Sequence, residues 1–314
     1  MNLHNNHPLF NQTVLATAAF LKIPYAFIEK DYWITLVLNR LSNSQYFSDT
    51  VFKGGTSLSK GYNLIDRFSE DVDIAILDCN GKTGNETKNL IRSIEKEITS
   101  ELFQIELKGV TSKGSRFRKT VFEYPSIKPE NNNNKLIVEI NSFANPFPFA
   151  PLIVQSFVYD FLLQAQFNRE IELYKLEPFL VNILSQNQTL LEKLVALIRC
   201  SFDENPVESI SGKIRHFYDL YFLVNCPSGV QFITSELFKT QFFALLDHDK
   251  SIFEEPIGWQ SKTFKESPLI ERFETLWNNL KIKYRSELST LAYREIPDEK
   301  DIADNFIRLI ENLK

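Results

Sequence analysis

The sequence predicts an α/β or α+β fold: a small mixed sheet with helices packed mainly on one side, followed by a helical C-terminal domain. Three observations carry this. The first half runs strand, helix, strand, helix, then successive strands. "DVDIAIL" and "KLIVEINSF" alternate with period two, and beyond about residue 176 the apolar spacing is helical throughout. A chain of 314 residues is long enough for two ordinary domains, placed at 1–175 and 176–314.

Residues 11 to 23 and 26 to 41 have helical spacing, the second with Glu29, Lys30 and Asp31 near its start, where the helix dipole and solvation explain charge. "TVFKGG" reads as a short strand ending in glycines, with Thr56 or Ser57 capping the brief helix "SLSKGYNLI". Residues 86 to 101 form a further helix, and "FQIELKGV", "RFRKTVFEY" and "KLIVEINSF" are successive strands. "NNNN" at 131 to 134 is a turn, and "NPFPFAP" breaks the pattern near 145 to 151. Downstream, "NQTLLEKLVALIRCSF", "IRHFYDLYFLV", "SELFKTQFFALLD" and "DIADNFIRLIENLK" are helices.

Composition narrows the function classes. With 43% hydrophobic and 24% charged residues the chain is globular, and a net charge of −5 argues against non-specific coating of nucleic acid. Three dispersed cysteines give neither a disulfide framework nor a zinc site. The N-terminus has no signal pattern and no stretch is apolar for about eighteen residues, so the expectation is a cytoplasmic protein with no membrane partner. One basic run, Lys108, Lys113, Arg116, Arg118 and Lys119, reads either as a solvated hairpin or as a patch touching RNA.

Residues two apart on a strand share a face, so Asp71 and Asp73 project together while Val72, Ile74 and Ile76 enter the core. Two neighbouring carboxylates repel, and a cation relieves that; Mg2+ suits an all-oxygen site. Glu139 faces away from Val138 and Ile140, so it joins the aspartates if its strand lies beside theirs. Three acids suit two metal ions and an in-line displacement at phosphorus. Gly54 and Gly55 let backbone N–H groups approach phosphate oxygens, with Thr56 and Ser57 as hydroxyl donors and Lys53 and Arg67 as nearby positive charge. Neither the Walker A nor the dinucleotide-binding glycine pattern is present.

"KGGTSLSKGYNLIDRFSEDVDI", together with "IEKDYWITLVL", "EKLVALIRC" and "RHFYDLYFL", resembles the AbiEii family, the nucleotidyltransferase toxins of AbiE-type and MenT-type toxin–antitoxin systems. The family lies within the polymerase-β-like nucleotidyltransferase superfamily. The resemblance implies that Gly54, Gly55, Thr56 and Ser57 hold an NTP triphosphate and that Asp71 and Asp73 bind metal. Arg67 and Ser69 match the R-x-S-x-D-x-D lead-in, Lys193 the helix lysine near the phosphates, Arg199 the arginine after it, and Asp219 the acid of the last motif. Read from the residues, Lys193 is equally a snorkelling surface lysine, and Asp219 a buried acid paired with Arg215 or another base. The implied activity is NMP transfer from an NTP to a tRNA 3′ end, with Mg2+, a cognate antitoxin and a role in phage defence. A protein side chain or small molecule as acceptor, and a catalytically inactive nucleotide-binding partner, stand as alternatives.

Overall fold

The computed structural model describes residues 1–69, 71–77, 79, 81–127 and 134–314. The chain divides into two compact units, Met1–Asn63 with Phe68–Leu184, and Ser185–Lys314 with Leu64–Arg67. The fold is mixed α/β, as the alternation of periods implies.

In the first unit the order is α1 (His7–Leu21), α2 (Tyr25–Ser42), β1 (Thr50–Lys53), α3 (Gly54–Lys60), β2 (Asp71–Ile76), α4 (Gly84–Ile98), β3 (Phe103–Ile105), β4 (Ser112–Lys113), β5 (Phe117–Glu123), β6 (Lys135–Asn141), β7 (Phe149–Val154), α5 (Phe157–Gln164), α6 (Asn168–Leu173) and β8 (Phe179–Leu184). These strands form one eight-stranded sheet in the order β3-β5-β6-β2-β1-β8-β7, with β4 on β5. Two pairings are parallel, β2 with β6 and β1 with β8. The core face carries Val72, Ile74, Leu136, Val138 and Ile140, all fully buried, against which α2 and α4 pack. Burial of such side chains contributes roughly 1.5–3 kcal/mol each.

Three expectations shift. α3 begins at Gly54, with Lys53 as the residue before it and no side-chain cap, so Thr56 and Ser57 lie inside the helix instead of capping it. The break at 145–151 gives way at Phe149 to β7, an edge strand, where Pro151 withholds an N–H at little cost. β8 then carries the first unit on to Leu184, past the boundary expected near 175. Residues 131–133 of the expected "NNNN" turn lie outside the described residues.

The second unit contains α7 (Gln186–Ser201), α8 (Pro206–Ser211), α9 (Arg215–Asn225), α10 (Pro227–Ile233), α11 (Glu236–Ile252), α12 (Pro268–Glu271), α13 (Phe273–Leu291) and α14 (Glu299–Glu311). Its heavy aromatic content is core: Phe217 on α9 meets Trp277 on α13 and Phe306 on α14, with ring centroids 5.1 and 5.0 Å away. Among the described residues, no helix is long and apolar enough to cross a membrane.

Candidate active site

Strand pairing decides which side chains share a face. Asp71 stands level with Ile137 and Asp73 with Glu139, in the parallel pairing of β2 with β6. The antiparallel neighbours extend the second row at both ends, Lys53 opposite Asp73 and Lys119 opposite Glu139. Residues level with one another project to one face. A row Lys53, Asp73, Glu139, Lys119 therefore crosses four strands. Asp71, Asp73 and Glu139 are half-buried, whereas Val72, Val138 and Ile140 between them are sealed in the core.

The start of α3 is built against this row. Gly54 has φ +79° and sits where any Cβ would collide with the Asp73 side chain, 2.9 Å from Cγ. Only glycine supplies both the positive φ and the missing atom. The Thr56 hydroxyl donates to the Asp71 carbonyl oxygen at 2.5 Å, and the Ser57 hydroxyl donates to the Gly54 carbonyl oxygen at 2.8 Å. A hydroxyl has one proton to donate, so the Thr56 proton is spent fastening the helix to the acidic strand and the Ser57 proton is spent within the first turn of α3. The donors left for a phosphate are backbone N–H groups of the first turn.

Asp71 and Asp73 fit a hard divalent cation, which takes one or two carboxylates and completes its shell with water and phosphate oxygens. Glu139, the third carboxylate expected beside them, lies level with Asp73 on the same face. Its Oε1 accepts a hydrogen bond from Lys119 Nζ at 2.5 Å, and among the described residues no group of three or more His, Cys, Asp or Glu side chains is arranged to hold a metal. Lys119 feels all three acids. Burial works against its charge, but the Glu139 hydrogen bond and the charges of Glu139, Asp71 and Asp73 outweigh this and raise its pKa.

The basic run of 108 to 119 is largely neutralised within the fold. Lys113 pairs with Glu106, Arg118 with buried Glu95, and Lys119 with Glu139, while Lys108 and Arg116 are exposed. Alternation explains the split, because Arg118 points to the α4 side and Lys119 to the acidic face. Sequence reasoning missed Lys119 as a site residue. The available signal was alternation, which puts Lys119 on the face opposite to its neighbour Arg118 in a strand next to "KLIVEINSF".

Glu29, Lys30 and Asp31 are not solvated start-of-helix charges; each is at most 3% exposed. Glu29 accepts from the Ile127 N–H at 2.6 Å and the Ser126 hydroxyl at 3.0 Å, while burial raises its pKa. Lys30 Nζ lies 5.7 Å from the Phe68 ring centre. Asp31 accepts from Lys60 Nζ at 2.6 Å and from the Phe157 N–H at 2.9 Å. Since Lys60 ends α3, Asp31 anchors the far end of the helix whose near end meets Asp73.

Within the second unit, Arg67 grips Asp219 with two N–H groups at 2.6 Å each, and Lys193 Nζ lies 2.7 Å from the same carboxylate. All three are buried. Burial alone would raise the Asp219 pKa; Arg67 and then Lys193 overcome it and hold the carboxyl far below the usual range. The base paired with Asp219 is thus not Arg215, which bonds Glu287 at 3.4 Å. Arg199 bonds Asp249 at 3.2 Å and stacks on Phe253 with 3.7 Å to the ring centre. Ser69, two residues before Asp71, is 7% exposed.

Comparison with curated proteins gives no significant match. Among solved structures, the chain is similar to MenT4, a nucleotidyltransferase toxin from Mycobacterium tuberculosis H37Rv, at 16% identity and a TM-score of 0.49, over 96% of this chain and 99% of that one. It is also similar to JHP933 from Helicobacter pylori, at 14% identity and a TM-score of 0.43, over 91% and 93% of the two chains. The family model described as nucleotidyl transferase AbiEii toxin, type IV toxin–antitoxin system, matches residues 36–305, the span holding every site residue above except the Glu29–Asp31 anchors. The chain belongs to the AbiEii nucleotidyltransferase toxins.

Proposed function

We propose that this nucleotidyltransferase moves a nucleoside monophosphate from an NTP to the hydroxyl of a tRNA 3′ end, releasing pyrophosphate and arresting translation until its antitoxin intervenes. The observation that carries the chemistry is the pairing of Gly54 with Asp73: a side-chain-free backbone is pressed against a carboxylate that shares its face with Asp71. Mg2+, held by Asp71 and Asp73, would neutralise triphosphate charge and draw electron density from the reacting phosphorus. The chain's own residues do the positioning. Thr56 ties α3 to the end of β2, Asp31 pins Lys60 at the other end, and Lys53 contributes positive charge at the start of the cradle. Such transfer depends on alignment and charge stabilisation.

A second reading, transfer to a protein side chain or small molecule, has its own support. The basic run is mostly paired internally and the chain carries a net charge of −5, so electrostatic capture of RNA by this segment is weak. Both readings are tested by incubating the protein with each of the four NTPs labelled at the α-phosphate, Mg2+, and either tRNA or protein extract. Label on tRNA 3′ ends is the expected result. Label on protein with unlabelled tRNA would establish the second reading, and no transfer to anything would refute both.

A further inference from the structure

Lys119 lies in the row of acids in the position of a cation. It is level with Glu139, which is level with Asp73, and its ammonium bonds the Glu139 carboxylate directly. The pair is only about a quarter exposed, 27% for Lys119 and 22% for Glu139, so water screens it less than a surface pair. It is also held by the backbone on both sides, since β5 and β6 pair residue for residue from Phe117–Asn141 to Glu123–Lys135. A divalent ion bound by Glu139 would have to stand beside this ammonium, and like charges at that separation repel.

We propose that Lys119 substitutes for a second metal: the site binds one divalent ion, at Asp71 and Asp73, and Glu139 is the counter-ion of Lys119 and not a metal ligand. This rests on the nucleotidyltransferase reading of the same face. The fixed ammonium supplies positive charge on the face that carries the acids. It makes that charge part of the chain, independent of metal concentration.

The test counts ions. Full-length protein is titrated with Mn2+ in the presence of an α,β-imido NTP, and bound Mn2+ per chain is read by electron paramagnetic resonance. One ion is expected for the wild type and for Glu139→Gln, whose Mn2+ affinity changes less than about threefold. Lys119→Met, which frees Glu139, is expected to bind two. Two ions in the wild type, a tenfold or greater loss of affinity in Glu139→Gln, or a single ion in a folded Lys119→Met would each overturn the proposal while leaving the enzyme reading intact. No bound ion in the wild type would overturn both. If Lys119→Met does not fold, the wild-type count and Glu139→Gln still decide.

Discussion

Replacing Gly54 with alanine separates the demands of the fold from those of the site. The new Cβ would sit 2.9 Å from Asp73 Cγ and 3.2 Å from its Cβ, and the residue would keep a φ of +79°. The backbone term costs about 1–2 kcal/mol for a residue with a Cβ. The collision adds little to that, because Asp73 is a half-exposed side chain that can rotate away. In rotating, however, its carboxylate leaves the place from which it would serve metal and nucleotide. A displacement of about 1 Å at a reacting centre costs about 100-fold in rate. Gly54→Ala should therefore lower the melting temperature by roughly 2–6 °C and α-phosphate-labelled transfer by about 100-fold. Gly109→Ala provides the control: its φ is +79° and nothing lies within 4 Å of the added atom, so it should show the stability loss without the activity loss. Transfer in Gly54→Ala within threefold of the wild type, with Asp73 displaced in its structure, would refute the role given to that carboxylate.

Further outcomes follow from the same contacts. Asp219→Asn leaves Arg67 and Lys193 buried around a neutral amide and should cost about 3–5 kcal/mol in urea unfolding at pH 7. Because the folded Asp219 pKa is depressed, its contribution is complete above its ordinary value of 3.8 and is lost as pH falls below it, so the gap between wild type and variant should narrow only under pH 4. His216 behaves in the same direction at higher pH: burial, then the Lys193 cation, keeps its pKa well below 6.5. The stability it contributes is present above pH 6.5 and is lost as pH falls, by up to about 1.4 kcal/mol per pH unit. Urea midpoints between pH 7.5 and 5.5 should show a shallower slope in His216→Gln. Thr56→Val removes the hydroxyl that fastens α3 to the Asp71 carbonyl and should cost about 1 kcal/mol, measured by thermal unfolding, with a several-fold loss of labelled transfer.

What could be read in the sequence was local. Period two in "DVDIAI" and "KLIVEIN" separates acids from core without knowledge of neighbours, and the glycine pair marks the turn into α3. The parallel pairing of β2 with β6 places Asp73 level with Glu139, as alternation required if those strands met. What escaped depended on partners distant in the chain. Lys119 falls in a basic run because charge along a sequence ignores which face each residue takes. Asp31 reaches Lys60 across 29 residues and Asp219 reaches Arg67 across 152, so along the sequence Asp31 reads as a solvated charge and the partner of Asp219 stays open between Arg215 and another base. β7 is hidden in the sequence by its proline, Pro151, which an edge tolerates and a central strand does not.

The short segment Leu64–Arg67 belongs to the compact unit that otherwise begins at Ser185. On the ribosome this imposes a wait. Arg67 is made 152 residues before the carboxylate it grips, and at about 5–20 residues per second that interval is roughly 8–30 s. During it, the segment leading into β2 has no Asp219 to hold it. The ion pair that fixes this lead-in is thus among the later events of synthesis, and the chain acquires it only once α9 has been made.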